Sequence, residues 1–130
     1  MLVAMPDNRR LLGQQGEALA RVHLEQEGYV VRDTNYRCLW GEVDIIVEKN
    51  DEIVFVEVRT RRSKRFGSPE ESVTALKRKH LVSTAYHYIE AHDLSLPWRI
   101  DLIAIDVDAK GIVERLEQLE NIVEEDGLSD

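Results

Sequence analysis

Two stretches of alternating apolar residues stand at the centre of the chain. Gly41 to Val47 reads GEVDIIV and Ile53 to Arg59 reads IVFVEVR. Both are rich in β-branched residues, and the polar run Lys49-Asn50-Asp51-Glu52 lies between them, a pattern that predicts a β-hairpin. Strand side chains alternate between faces. Val54, Val56 and Val58 therefore share one face, and Phe55, Glu57 and Arg59 the other. On the first arm Asp44 goes with Ile46, opposite Val43, Ile45 and Val47. Each arm thus carries an acidic residue in an apolar setting.

The remaining elements follow from periodicity. Leu12, Gly16, Leu19, Val22 and Leu24 recur at helical intervals within Leu11 to Glu27, and Gly28 is a C-terminal stop. Tyr29 to Arg32 reads as a short strand and Asp33 to Cys38 as connecting chain. Thr60 to Gly67 reads as a mobile basic loop. Ser68-Pro69-Glu70-Glu71 is a capping box with proline at the first helical position, so a second helix is predicted from there to Ala91. Its expected inner face is Val73, Leu76, His80, Ala85, Tyr88 and Ile89. Trp98 to Val107 is a fourth strand and Ile112 to Leu116 a fifth, at an edge. The order α-β-β-β-α-β-β permits a parallel crossover and defines an α/β protein with a mixed five-stranded sheet flanked by helices. The expected organisation is a flexible N-terminus over residues 1–10, one domain over 11–117 and an acidic tail over 118–130.

Charge refines this picture. The net charge of −8 argues at first against nucleic acid, but it is unevenly spread. From Glu114 onward there are seven acidic residues and one basic, which leaves 18 acidic and 16 basic residues before it. From Arg59 to His80 eight Lys and Arg residues face two Glu. The chain is dipolar, with a basic middle and an acidic end. The single cysteine, Cys38, excludes an internal disulfide and suits a reducing cytoplasm. The opening residues do not resemble a signal peptide, and no stretch approaches the ~18 apolar residues of a membrane span.

A carboxylate in an apolar strand is costly to desolvate without a partner. Asp44 and Glu57 on adjacent strands, with the Val58 carbonyl, would offer hard oxygen ligands of the kind Mg²⁺ and Mn²⁺ prefer. A cationic side chain two residues beyond Glu57 would stand beside the charge that develops in phosphodiester hydrolysis. On spacing alone, a surface salt bridge from Glu57 to Arg59 or Arg61 is the simpler reading, and Glu17 is an ordinary surface carboxylate.

Several motifs together resemble the YraN-type family of small bacterial proteins. They are Gly16-Glu17-x-x-Ala20, Gly41-Glu42-Val43-Asp44-Ile45-Ile46, Phe55-Val56-Glu57-Val58-Arg59-x-Arg61, Gly67 to Val73 with Lys77, and Arg99 to Ile103. That family is related to the archaeal Holliday-junction resolvases and the wider PD-(D/E)xK nucleases. The resemblance implies a restriction-endonuclease-like core and a Mg²⁺- or Mn²⁺-dependent endonuclease acting on DNA, branched DNA in particular. It places Glu17, Asp44, Glu57 and Arg59 in the catalytic site, with the metal on Asp44, Glu57 and Val58. The departure is Arg59, where the pattern has lysine. Arginine stays protonated, so it can stabilise charge but not shuttle a proton. Lys77 is a candidate to supply the missing lysine. Arg61, Arg62, Lys64, Arg65, Lys77, Arg78 and Lys79 are the expected phosphate contacts. Two other readings stand beside this one: a non-catalytic DNA-binding module on the same fold, and a protein-interaction domain whose acidic tail engages a basic partner or its own basic loop. A homodimer would match the two-fold symmetry of a four-way junction.

Overall fold

The computed structural model describes residues 4–5, 8–62 and 67–123. Helix α1 spans Arg9–Gln26, strand β1 Val30–Cys38, β2 Gly41–Lys49 and β3 Glu52–Arg61. A single turn α2, Pro69–Ser72, precedes α3, Ala75–Ala91; β4 is Trp98–Val107 and β5 Val113–Leu119. The five strands lie in chain order, all antiparallel to their neighbours except β3 and β4, which run parallel. This is the expected mixed α/β sheet with its parallel crossover.

Each face of the sheet buries one helix. Leu12, Ala20 and Leu24 of α1 pack on Ile45, Val47, Val54, Val56, Ile103 and Ile105. Leu81, Ala85 and Tyr88 of α3 pack on Ile46, Phe55, Ile100 and Leu102 on the other face. Covered on both sides, β4 is buried at every position from Ile100 to Val107, as a strand paired in parallel should be.

Several expectations need correction. The chain from Asp33 to Cys38 is strand, not connection, because it pairs with β2 as far as Cys38–Gly41. The second helix is interrupted. Ser68 caps α2 as predicted, but Val73 turns extended and is buried, and Thr74 caps a fresh start by accepting from the Lys77 amide at 3.1 Å. The restart rotates the periodicity. The inner stripe becomes Leu81, Thr84, Ala85 and Tyr88, while Leu76 and His80 are exposed. On α1, Val22 is likewise exposed and Ala20 takes the inner position. Both ends of the described chain pack further than expected. The Met5 side chain is buried, and its amide donates to the Gly111 carbonyl at 2.7 Å. β5 runs on to Leu119, and the Ile122 amide donates to the Ile100 carbonyl at 2.9 Å.

Val43 also departs from the strict alternation. It joins the α3-side cluster with Ile46 instead of siding with Ile45 and Val47. The change falls where β2 loses its ladder to β3, which ends at the pair Ile45–Val56.

Candidate functional site

The open end of that ladder forms the candidate site. Past Val56 the next amide on the β2 side is that of Val58. It donates to Asp44 Oδ2 at 2.8 Å, so a side chain takes the place a backbone carbonyl would hold. Glu57 lies between, almost fully buried. Glu17 arrives from α1. That helix sits close to the end of β3: a Cβ on Gly16 would lie 1.8 Å from Thr60 Oγ1 and 3.0 Å from Thr60 Cβ. Only glycine allows this approach, and the next residue, Glu17, is thereby carried to Asp44.

The carboxylates perturb one another. Burial pushes Glu57 up to about 7, the charge of Asp44 adds to the rise, and Lys77 and Arg59 oppose it. Glu17 is also raised to about 7, first by burial, then by the charge and hydrogen bond of Asp44 and the charge of Glu42. Two of these groups therefore titrate near neutrality, which identifies them as functional candidates. Glu42 was not singled out from the sequence. It is exposed enough to pair with Arg37 at 2.9 Å, and only its position two residues before Asp44 pointed to it.

Two cations approach Glu57. Arg59 stands 3.0 Å and Lys77 3.6 Å from Glu57 Oε2. The Glu57–Arg59 pair foreseen on spacing does form, but its acid is buried, so it is no surface bridge. Arg61 goes elsewhere: its Nε donates to Asp106 Oδ1 at 2.7 Å and its Nη1 to the Gly67 carbonyl. Arg115 also reaches Asp106, and the two guanidiniums outweigh burial to hold Asp106 below the usual carboxylate range. Arg62 points to the Met5 and Asp108 carbonyls. Arg61 and Arg62, two of the four arginines assigned to phosphate, thus make internal contacts. Lys64 and Arg65 lie outside the described residues. Arg78 and Lys79 follow Lys77 on the first turn of α3, where Lys79 is exposed.

Four buried side-chain polar atoms lack a hydrogen-bond partner among the described residues: Arg59 Nε, Thr60 Oγ1, Glu70 Oε1 and Arg78 Nε. All lie on the end of β3, on α2 or on the first turn of α3. Such atoms are rare in folded proteins, and two of them adjoin the cluster: Arg59 pairs with Glu57, and Thr60 lies against Gly16. The cavity of about 850 Å³ beneath Trp98, Tyr86 and Leu96 is elsewhere, at the opposite end of β3 and β4, and none of the site residues lines it. Asp101, another buried acid, is structural. It accepts from Arg99 Nε, from Gln118 Nε2 and from the Asn121 amide, each at 2.9 Å.

Whether the site suits a divalent ion is a question of donors. Among the described residues no three His, Cys, Asp or Glu side chains are grouped to hold a metal. The set is smaller: two carboxylates, Asp44 and Glu57, beside the Val58 backbone. It is all oxygen, and Mg²⁺ is commonly held by one or two carboxylates with waters completing its shell. The donors therefore fit such an ion, although Arg59 and Lys77 compete with it for Glu57.

Fold and site together define an α/β protein with a carboxylate cluster at a split between two central strands. The family model described as "Uncharacterised protein family UPF0102" matches residues 16–105. The chain belongs to this family, in agreement with the YraN-type resemblance. A UPF0102 protein of Chloroflexus aurantiacus is 44% identical over 112 residues, covering 85% of this chain and 91% of its own. One from Roseiflexus castenholzii is 41% identical over 123 residues, covering 93% and 99%. Among solved structures, Pyrococcus furiosus SfsA in complex with Ca²⁺ matches with a TM-score of 0.45 and 14% identity, over 89% of this chain and 65% of that one. No helix among the described residues is long and apolar enough to cross a membrane.

Proposed function

We propose that the chain is a metal-dependent endonuclease that hydrolyses DNA phosphodiesters. One observation carries this reading: Glu17, Asp44 and Glu57, from separate elements, meet where the β2–β3 ladder opens, with Arg59 and Lys77 against them. A folded domain gains nothing in stability from gathering like charges. Asp44, Glu57 and the Val58 carbonyl would hold Mg²⁺ or Mn²⁺. Such an ion supplies Lewis acidity and a more acidic bound water.

The chain's own residues do the rest. Glu17, held near 7, is matched to accept a proton from the attacking water at neutral pH. Arg59 and Lys77 neutralise charge developing on the phosphoryl oxygens. Lys77 supplies the lysine that Arg59 displaces, from α3 instead of β3. Lys77, Arg78 and Lys79 crowd the N-terminal turn of a helix, where the dipole disfavours cations and favours anions, and so attract the DNA backbone.

A specific observation supports the second reading, a non-catalytic DNA-binding module. Arg59 and Lys77 already pair with Glu57, which weakens its hold on an ion. The experiment is cleavage of a labelled four-way junction, a flap and a linear duplex with Mn²⁺, Mg²⁺ or EDTA. Wild type and Glu57→Ala are run side by side. Metal-dependent cutting lost in Glu57→Ala is expected; salt-sensitive binding without cutting by either protein refutes the enzyme and leaves the binding module.

A further inference from the structure

The turn between β1 and β2 is Leu39-Trp40, with Cys38 paired to Gly41 across it. A two-residue hairpin turn usually carries Asn, Asp or Gly. Here both tip residues are large and apolar, and both face solvent: Leu39 is 91% and Trp40 52% exposed. The turn is held from within. The Trp40 amide donates to Cys38 Sγ at 3.4 Å, and Cys38 Sγ lies 3.8 Å from Thr84 Oγ1 on α3. A Cβ on Gly41 would stand 3.6 Å from Thr84 Oγ1 and 3.7 Å from His80 Cβ. The backbone is thus anchored on the helix while Leu39 stands almost wholly in solvent and about half of Trp40 does. Leu76, one turn before His80 on the same helix face, is 64% exposed and extends the patch.

The tip is close to the carboxylates by two routes. Along β2, Asp44 is four positions on from Trp40, about 13 Å at the strand rise. Along α3, Lys77 is three positions before His80, about 4.5 Å. The surroundings are cationic: Lys77 and Lys79 lie on α3, and Arg37 is 76% exposed across its pair with Glu42. Apolar and aromatic side chains stack on unpaired bases or wedge between base steps, while nearby cations hold the backbone.

We propose that the Leu39-Trp40 turn is a wedge that stacks on an unpaired base of DNA where a duplex opens, roughly four base steps from the carboxylates at the ~3.4 Å spacing of stacked bases. This rests on the nuclease-type reading for its partner and adds the substrate class, a junction between paired and unpaired DNA. The occupant is nucleic acid and not a second copy of the chain because the patch is small and exposed cations flank it, Arg37 beside the turn and Lys79 on α3.

The test is binding in EDTA, where no cleavage intervenes. Forked DNA and blunt duplex of the same sequence are titrated against wild type, Trp40→Phe and Leu39→Ala/Trp40→Ala. The chain has two tryptophans, so Trp98 remains as an internal reference. Expected are quenching of Trp40 by forked DNA that disappears in Trp40→Phe, and forked-DNA affinity roughly ten-fold or more lower in the double variant, the usual scale of a lost stacking contact. Duplex affinity stays unchanged. Both side chains are exposed, so the variants keep the wild-type unfolding temperature. Equal affinities in all three proteins, or equal losses on fork and duplex, overturn the wedge even if the wild type cuts DNA. A wild-type dimer by sedimentation that the double variant dissolves also overturns it, by assigning the patch to self-association. Failure of every protein to bind any DNA overturns the wedge and the nuclease reading together.

Discussion

Glu57→Gln should make the protein more stable at alkaline pH, although it removes a group with two ion pairs. Glu57 is 5% exposed and its carboxyl is raised from 4.5 to about 7, by burial first and Asp44 second. The folded state therefore holds this proton to a higher pH than the unfolded chain does. Stability is greatest below the unfolded value, falls as pH rises between about 4.5 and 7, and stays low above it. A tenfold change in a proton-binding constant is worth about 1.36 kcal/mol, so the ceiling for this group is about 3 kcal/mol. Glutamine keeps the shape and removes the ionisation. The lost ion pairs offset little, because the side chains of Arg59 and Lys77 are 36% and 33% exposed and can turn to water. For a chain of this size 3 kcal/mol corresponds to about 10 °C in Tm. The assay is thermal unfolding of both proteins from pH 5 to 8 in EDTA at fixed ionic strength. The curves should meet near pH 5 and diverge towards pH 8, with the variant higher. Millimolar Mn²⁺ at pH 8 should then raise the Tm of wild type and leave the variant unmoved. Parallel pH profiles would show that Glu57 bears no ionisation penalty, and the argument for a charged cluster would fail.

Two further substitutions probe the scaffold. Asp101→Ala should cost about 1–3 kcal/mol in urea unfolding, since it leaves the Asn121 amide without its acceptor and takes one partner each from Gln118 and Arg99, the latter keeping Glu52 and Glu120; a loss under 0.5 kcal/mol, roughly the spread of a neutral surface change, would contradict its structural role. Gly16→Ala should lower stability by about 1–3 kcal/mol despite alanine's better helix propensity, because the new Cβ meets Thr60. It should also weaken Mn²⁺ stabilisation at pH 8 by moving Glu17 off Asp44, whereas a stability gain would mean that α1 shifts freely over β3.

Much of the fold was legible because its signals are local. The β2–β3 hairpin, β4 and the capped helix start at Ser68 each rest on contiguous patterns of apolar, β-branched or capping residues. Errors arose where a distant partner decided the outcome. Asp33 to Cys38 is polar and reads as loop, yet becomes strand because β2 offers it a full-length edge. The helix through Ser68 to Ala91 breaks because burying Val73 outweighs continuity and Thr74 can cap the restart. Arg61 reads as a phosphate contact or a partner for Glu57, but Asp106, 45 residues away, claims it.

The site was legible for a different reason. Alternation alone set Glu57 and Asp44 on neighbouring strands, but it gave no ground for preferring a site over a salt bridge. The distinction depends on the early end of the β2–β3 ladder, which periodicity does not encode. Had pairing continued past Ile45–Val56, the Val58 amide would bond a β2 carbonyl and leave the Asp44 carboxylate without it. Because pairing stops, that amide binds the carboxylate instead. Glu17 completes the cluster only because Gly16 lets α1 settle on Thr60. A glycine that weakens a helix by about 1 kcal/mol, set beside an acid that looks like surface, is therefore the local trace of a requirement imposed from across the sheet.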